Sequence, residues 1–230
     1  MQRDVAVVGA GYVGLPLAVR LAEAGRTVVC LDPDEGKMAR LNAGDSYIED
    51  VPSADLKRLV DAGSLAGTTD ETELRDADAI LICVPTPLAE HREPDLGAVR
   101  AATAAVARNL RKGHVVVLES TTYPGTTREV LQPMLEEGGL VAGTDFHLAM
   151  SPERIDPGRT DFTVRTTPKV MGGITAACAE RAAAVYEGAV DNVVRVSSPE
   201  AAELAKLLED RKSTRLNSSH SSVSRMPSSA

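Results

Sequence analysis

VAVVGAGYVGLPLAVRLAEAG, residues 5–25, decides the fold. An apolar run ends in Gly9-Ala10-Gly11-Tyr12-Val13-Gly14, and apolar residues at helical spacing follow. The glycines have separate physical jobs. Gly9 permits a tight turn, Gly11 lets a pyrophosphate approach the backbone, and Gly14 allows helix and strand to pack closely. The pyrophosphate would then sit on free N–H groups at the positive end of the helix. Glycines also serve an ordinary tight turn. What favours a dinucleotide site is the context: a strand before, a helix after, and another strand at the expected distance.

That second strand, TVVCLD, ends in Asp32, eighteen residues after Gly14. A carboxylate there accepts hydrogen bonds from adenosine ribose hydroxyls and repels a 2′-phosphate, so NAD is favoured over NADP. Asp32 could also cap a helix starting at Pro33.

Further on, the apolar runs ADAILICVP, HVVVLES, FHLAM, PKVMGG and NVVRV read as strands. Helical patterns fill 12–24, 33–43, 53–62, 96–110, 126–135 and 176–186. Continuous Val/Ile/Leu strands alternating with helices predict an α/β fold: a Rossmann-like, doubly wound, mostly parallel sheet with helices on both faces. Residues 1–197 are expected to form this domain, and 198–209 to begin a helix leading into another.

The composition narrows the function classes. The chain has 230 residues, is 43% hydrophobic and carries a net charge of −8. Residues 1–209 hold 21 Lys and Arg against 32 Asp and Glu. Such a balance disfavours broad nucleic-acid binding but not a small anionic ligand held by local N–H groups. No basic, apolar leader opens the chain and no apolar run nears the ~20 residues that span a bilayer. No membrane partner is expected. Cys30, Cys83 and Cys178 are odd in number and far apart, with no metal-ligand spacing. A reducing cytoplasm is the expected compartment.

CVPTPLAEHREPDL (83–96), LESTTYPGTT (118–127), AMSPERIDPGR (149–159) and AELAKLLE (202–209), with GAGYVGLPLA (9–18), resemble the UDP-sugar 6-dehydrogenases. REPDL and SPERIDPG look most like the UDP-N-acetylglucosamine 6-dehydrogenase branch; UDP-glucose dehydrogenases usually have asparagine where Ser151 precedes Pro152-Glu153. The resemblance implies two successive NAD-dependent oxidations of C6, from alcohol to aldehyde to acid. A cysteine traps the aldehyde, and the resulting thioester is hydrolysed.

Matched motif by motif, the resemblance implies cofactor contacts at Gly9, Gly11, Tyr12, Val13, Gly14, Asp32, Lys37, Val84, Thr86 and Ser120. Thr121 would order water near C6, Glu153 would act in acid/base steps, and Lys206 would stabilise the oxyanion. Glu153, Arg154, Ile155, Asp156 and Lys206 would line the UDP-sugar. Plainer readings stay open. Lys37 and Lys206 could be solvated lysines, Ser120 and Thr121 strand-end hydroxyls, and 152–158 a surface turn. A stand-alone NAD-binding module, or a hydroxyacid or hydroxyacyl dehydrogenase on the same fold, also stays open.

The family's nucleophilic cysteine lies in a glycine-rich segment beyond the lysine helix, and none of the three cysteines here matches it. The UDP-binding second half is likewise expected to be missing, and with it the full-length homodimer or higher homo-oligomer. Residues 210–230 break the pattern, with eight serines in 21 positions. DRKSTRLNSSH back-translates into one frame of a common sequencing adapter and SRMPSSA fits its far end, so this stretch is expected to be non-native. The fragment by itself is expected to be inactive.

Overall fold

A computed structural model describes residues 2–87, 94–153, 166–206 and 208. Strands β1 (Arg3–Val8), β2 (Val28–Leu31), β3 (Leu65–Thr68), β4 (Ala77–Ile82), β5 (Val115–Leu118), β6 (His147–Met150), β7 (Lys169–Gly173) and β8 (Val193–Val196) form one sheet. Its order is β3-β2-β1-β4-β5-β6-β7-β8. The helices are α1 (Gly14–Glu23), α2 (Glu35–Asn42), α3 (Ser53–Asp61), α4 (Gly97–Asn109), α5 (Gln132–Glu136) and α6 (Ala176–Val185), and a further helix occupies 199–206.

Period-two alternation splits the strands between two cores, as a sheet buried on both faces requires. Val5, Val7, Cys30, Leu81, Val117 and Met171 join the core under α1, α3 and α6. Their neighbours Ala6, Val8, Leu31, Ile82, Leu118 and Val170 enter the opposite core with α4 and α5. This is the Rossmann-like layering expected of the sequence.

Three details refine the mostly parallel sheet expected. The β6–β7 pair is antiparallel, while the other ladders are parallel. LAGT forms the edge strand β3, where only Leu65 is fully buried, so no apolar run betrays it. The 126–135 helix starts as a π-helical segment, Thr127–Leu131, before α5. The expectations for 154–156 and for 210–230 lie outside the described residues.

The strand order places β1 between β2 and β4: the chain first winds outward from β1 through β2 to β3, then crosses back to β4 on the other side of β1. The crevice outside the carboxyl ends of β1 and β4 is where an open α/β sheet binds ligands.

Candidate functional site

Five of the stretches singled out in the sequence lie just beyond a strand's carboxyl end: 9–14 after β1, Asp32 after β2, 83–87 after β4, 119–122 after β5 and 151–153 after β6. Gly9 has φ +95°, a left-handed conformation that disfavours side chains. A Cβ on Gly14 would lie 1.8 Å from the Gly9 carbonyl oxygen and 3.2 Å from Cys83 Cβ, so only glycine lets α1 start this close to the turn and to β4. Gly11 is the opposite case: a Cβ there would meet nothing within 4 Å. The space over Gly11 opens away from the protein, as a cradle for a close-lying group does. Val13 caps α1 with no side-chain hydrogen bond, and the first turn holds no acidic residue. Tyr12 stands largely in solvent beside it.

Asp32 is buried and tied to the turn. Its Oδ2 accepts the Ala10 N–H at 3.0 Å and its Oδ1 accepts the Asp34 N–H at 3.1 Å. Asp32 does not cap α2; Asp34 does, accepting the Lys37 N–H at 3.0 Å. Each Asp32 oxygen keeps lone-pair capacity for a ribose hydroxyl. Lys37 Nζ lies 3.7 Å from Asp32 Oδ2 and balances its charge. Tyr47 steadies the same turn, donating its hydroxyl to the Ala10 carbonyl at 2.9 Å. The cradle over Gly11, the uncapped α1 terminus and the Asp32 carboxylate fit a dinucleotide with a free ribose 2′-hydroxyl.

The residues expected at the other end of the cofactor are strapped to one another. The Cys83 carbonyl and Val84 Cγ1 abut Gly9, at 2.8 and 3.2 Å from where its Cβ would be. Ser120 Oγ donates to the Val84 carbonyl at 2.6 Å, and Thr86 Oγ1 donates to the Thr121 carbonyl at 2.7 Å. The Glu153 N–H donates to the Glu119 carbonyl at 3.1 Å. Val84, Thr86, Ser120, Thr121 and Glu153 therefore share one rim with the glycine turn. Lys206 follows Glu203 on helix 199–206. Glu203 is buried and accepts the Gly125 N–H at 2.6 Å, the Thr127 N–H at 2.9 Å and the Thr127 hydroxyl at 2.8 Å. This docks the lysine helix on the loop that continues from Thr121. Arg154, Ile155 and Asp156 lie outside the described residues.

Glu203, Tyr47 and a buried cluster behind Glu119 escaped the sequence reading. In the cluster, Lys169 Nζ lies 2.5 Å from Glu119 Oε2, and the Tyr186 hydroxyl donates to Glu119 Oε1. A lysine opening an otherwise apolar strand, PKVMGG, was its one visible signal. Among the described residues no cluster of three or more His, Cys, Asp or Glu is placed to hold a metal, and no helix is long and apolar enough to cross a membrane. The thiols are buried. Burial pushes Cys30 up to about 12 and Cys83 well above its ordinary value, so both stay protonated and poor nucleophiles.

Residues 3–190 match the model of the UDP-glucose/GDP-mannose dehydrogenase family, NAD binding domain. The chain belongs to that family. It is 39% identical to a UDP-N-acetyl-D-glucosamine 6-dehydrogenase of Pseudomonas aeruginosa over 208 residues, 90% of this chain and 48% of that protein. It is 33% identical to a UDP-N-acetyl-D-mannosamine dehydrogenase of Pyrococcus horikoshii, over 90% of this chain and 49% of that one. Among solved structures, the NDP-N-acetyl-D-galactosaminuronic acid dehydrogenase of Methanosarcina mazei superposes with a TM-score of 0.84 at 33% identity, covering 91% of this chain and 47% of the other. A ternary complex of the Pseudomonas aeruginosa GDP-mannose dehydrogenase also gives 0.84, at 29% identity over 92% of this chain and 50% of the other. The chain spans about half the length of the relatives it matches. As the family's NAD-binding domain, it takes NAD as cofactor.

Proposed function

We propose that this chain is the N-terminal, NAD-binding portion of a UDP-sugar 6-dehydrogenase, of the branch that acts on UDP-N-acetylhexosamines. The whole protein would oxidise C6 from alcohol to aldehyde to acid in two hydride transfers. The observation that carries this reading is the Gly9–Gly14 turn bonded to the Asp32 carboxylate, on the same rim as Ser120, Thr121 and Glu153. NAD, when bound, would accept the hydride leaving C6 in each step. Gly9, Gly11, Tyr12, Val13 and Gly14 would hold its pyrophosphate, Asp32 and Lys37 its adenosine ribose, and Val84, Thr86 and Ser120 its nicotinamide end.

Chemistry at C6 would fall to three other residues. Thr121 would orient the hydroxyl or a water at C6 from the end of β5. Lys206 would hold negative charge developing on the C6 oxygen; a preorganised charge of this kind contributes about 3 kcal/mol. Glu153 would move protons during hydrolysis of the acyl intermediate. Arg154, Ile155 and Asp156 would lie along the substrate. The domain would run over 1–197, with 198–209 opening the helix to the UDP-binding half. Leu204 and Leu208, 47% and 53% exposed beside Lys206, suit coverage by that half and a homodimeric or higher assembly.

NADH fluorescence titration of the purified chain tests this reading. NADH should bind and NADPH bind more weakly. Asp32→Asn should weaken NADH by roughly tenfold or more, the worth of a charge-assisted hydrogen bond, and narrow the difference between the two. The chain alone should not reduce NAD with UDP-N-acetylglucosamine. Equal affinity for NADH and NADPH, or no binding of either, would overturn the assignment.

A further inference from the structure

The Glu119 cluster lies on no ligand-facing surface, yet three elements converge to build it. Glu119 follows β5, Lys169 opens β7 and Tyr186 follows α6. All three are buried. The Lys169 ammonium also stands over the Tyr186 ring, 5.1 Å from its centroid. An ion pair withdrawn from water this completely is weak evidence for stability, because desolvating both charges offsets much of their attraction. A structural role alone would be filled as well by apolar side chains.

What the cluster does hold is the backbone at residue 119. Glu119 donates its N–H to the Ile82 carbonyl at 2.8 Å, and its carbonyl receives the Glu153 N–H at 3.1 Å. Its neighbour Ser120 grips the Val84 carbonyl. The Glu119 carboxylate is tied by one oxygen to α6's end and by the other to β7, so this backbone cannot rotate without breaking a buried ion pair. Burial and the adjacent Glu119 charge keep the Tyr186 phenol protonated, hence a permanent donor.

We propose that Glu119, Lys169 and Tyr186 are positioning residues for the nicotinamide half of the cofactor: a neutral buried cluster that fixes Val84, Ser120 and Glu153 relative to the glycine turn. This rests on the NAD reading above. The adenosine half is held separately, by Asp32 and the turn, so the cluster should act on one half of the ligand only.

Comparing NADH with ADP-ribose, which lacks the nicotinamide, isolates that half. Tyr186→Phe removes one hydroxyl and keeps the packing, Lys169→Met breaks the pair, and Glu119→Gln with Lys169→Met removes both charges together. Each should weaken NADH by about tenfold, the worth of one well-made contact, and leave ADP-ribose within roughly twofold of the parent chain, since no adenosine contact is touched. Lys169→Arg, which keeps the cation, should restore NADH. Should Lys169→Met fail to fold, Tyr186→Phe carries the same comparison. Parallel loss of both ligands would mean general loosening and would sink the proposal, as would unchanged NADH binding. A parent chain that binds ADP-ribose as tightly as NADH would sink it too while sparing the Asp32 site, whereas one that binds neither ligand defeats the NAD reading itself.

Discussion

His114 opens β5 at the strand end opposite the site and is fully buried. Its Nδ1 accepts the Arg111 N–H at 3.2 Å. Burial first, then the Arg111 guanidinium, depress its folded-state value to about 4, against 6.5 ordinarily. The folded protein keeps this imidazole neutral where the unfolded chain protonates it. Stability is therefore complete above pH 6.5 and lost progressively as pH falls toward 4, below which both states carry the proton. The shift caps the loss at roughly 3 kcal/mol. Asp4 and Asp145, whose carboxyls are held below the usual range chiefly by the Thr27 N–H and by Lys112, add an acid-side loss that does not depend on residue 114. Urea denaturation of the parent and His114→Gln chains between pH 7.5 and 4 should show the stability gap between them narrowing as pH falls. Parallel curves would mean that His114 titrates as an ordinary histidine.

At the scale of elements, helix 199–206 is attached by Glu203, and its attachment is polar and buried. Burial raises the Glu203 carboxyl's tendency to hold a proton, while the Thr127 and Gly125 donors oppose that. Glu203→Ala would strand two N–H groups and a hydroxyl in the interior, at about 3 kcal/mol or more. Nearby, the Arg128–Glu200 pair at 2.8 Å is 45% and 35% exposed, so Glu200→Ala should cost under about 1 kcal/mol. Denaturant midpoints for the two variants check this ordering, and equal costs would refute it. Such attachments mark where sequence legibility ended. β1, β2, β4, β5 and the glycine turn could be read because hydrophobic periodicity and backbone strain leave residue-type signatures within a few positions. The short edge strand β3 has no such signature. Nor does the Glu203 contact, whose partners lie 76 and 78 residues away, or the Glu119–Lys169–Tyr186 cluster: a charged residue destined for the interior looks like any surface charge until the fold supplies its partner. The antiparallel turn into β7 was hidden for a related reason, since an apolar run does not carry its direction.

For the molecule as a whole, the proposed cofactor cleft is assembled from the ends of β1, β2, β4, β5 and β6, segments spread from Gly9 to Glu153. No part of it exists in the unfolded chain, so NADH should bind the native state alone and shift the unfolding equilibrium by mass action. At a hundred times its dissociation constant, a ligand of this kind adds about 2.7 kcal/mol. For a domain near 200 residues each kcal/mol moves the midpoint by about 2–4 °C, so Tm should rise by roughly 5–10 °C. NADPH at the same concentration should raise it less, because in the proposed site Asp32 would meet its 2′-phosphate. The Glu203→Ala chain starts from a lower Tm but should gain the same increment, since no cofactor contact is lost. A smaller increment in that variant would show that helix 199–206 and the cofactor cleft are coupled, and that docking the lysine helix is part of forming the NAD site.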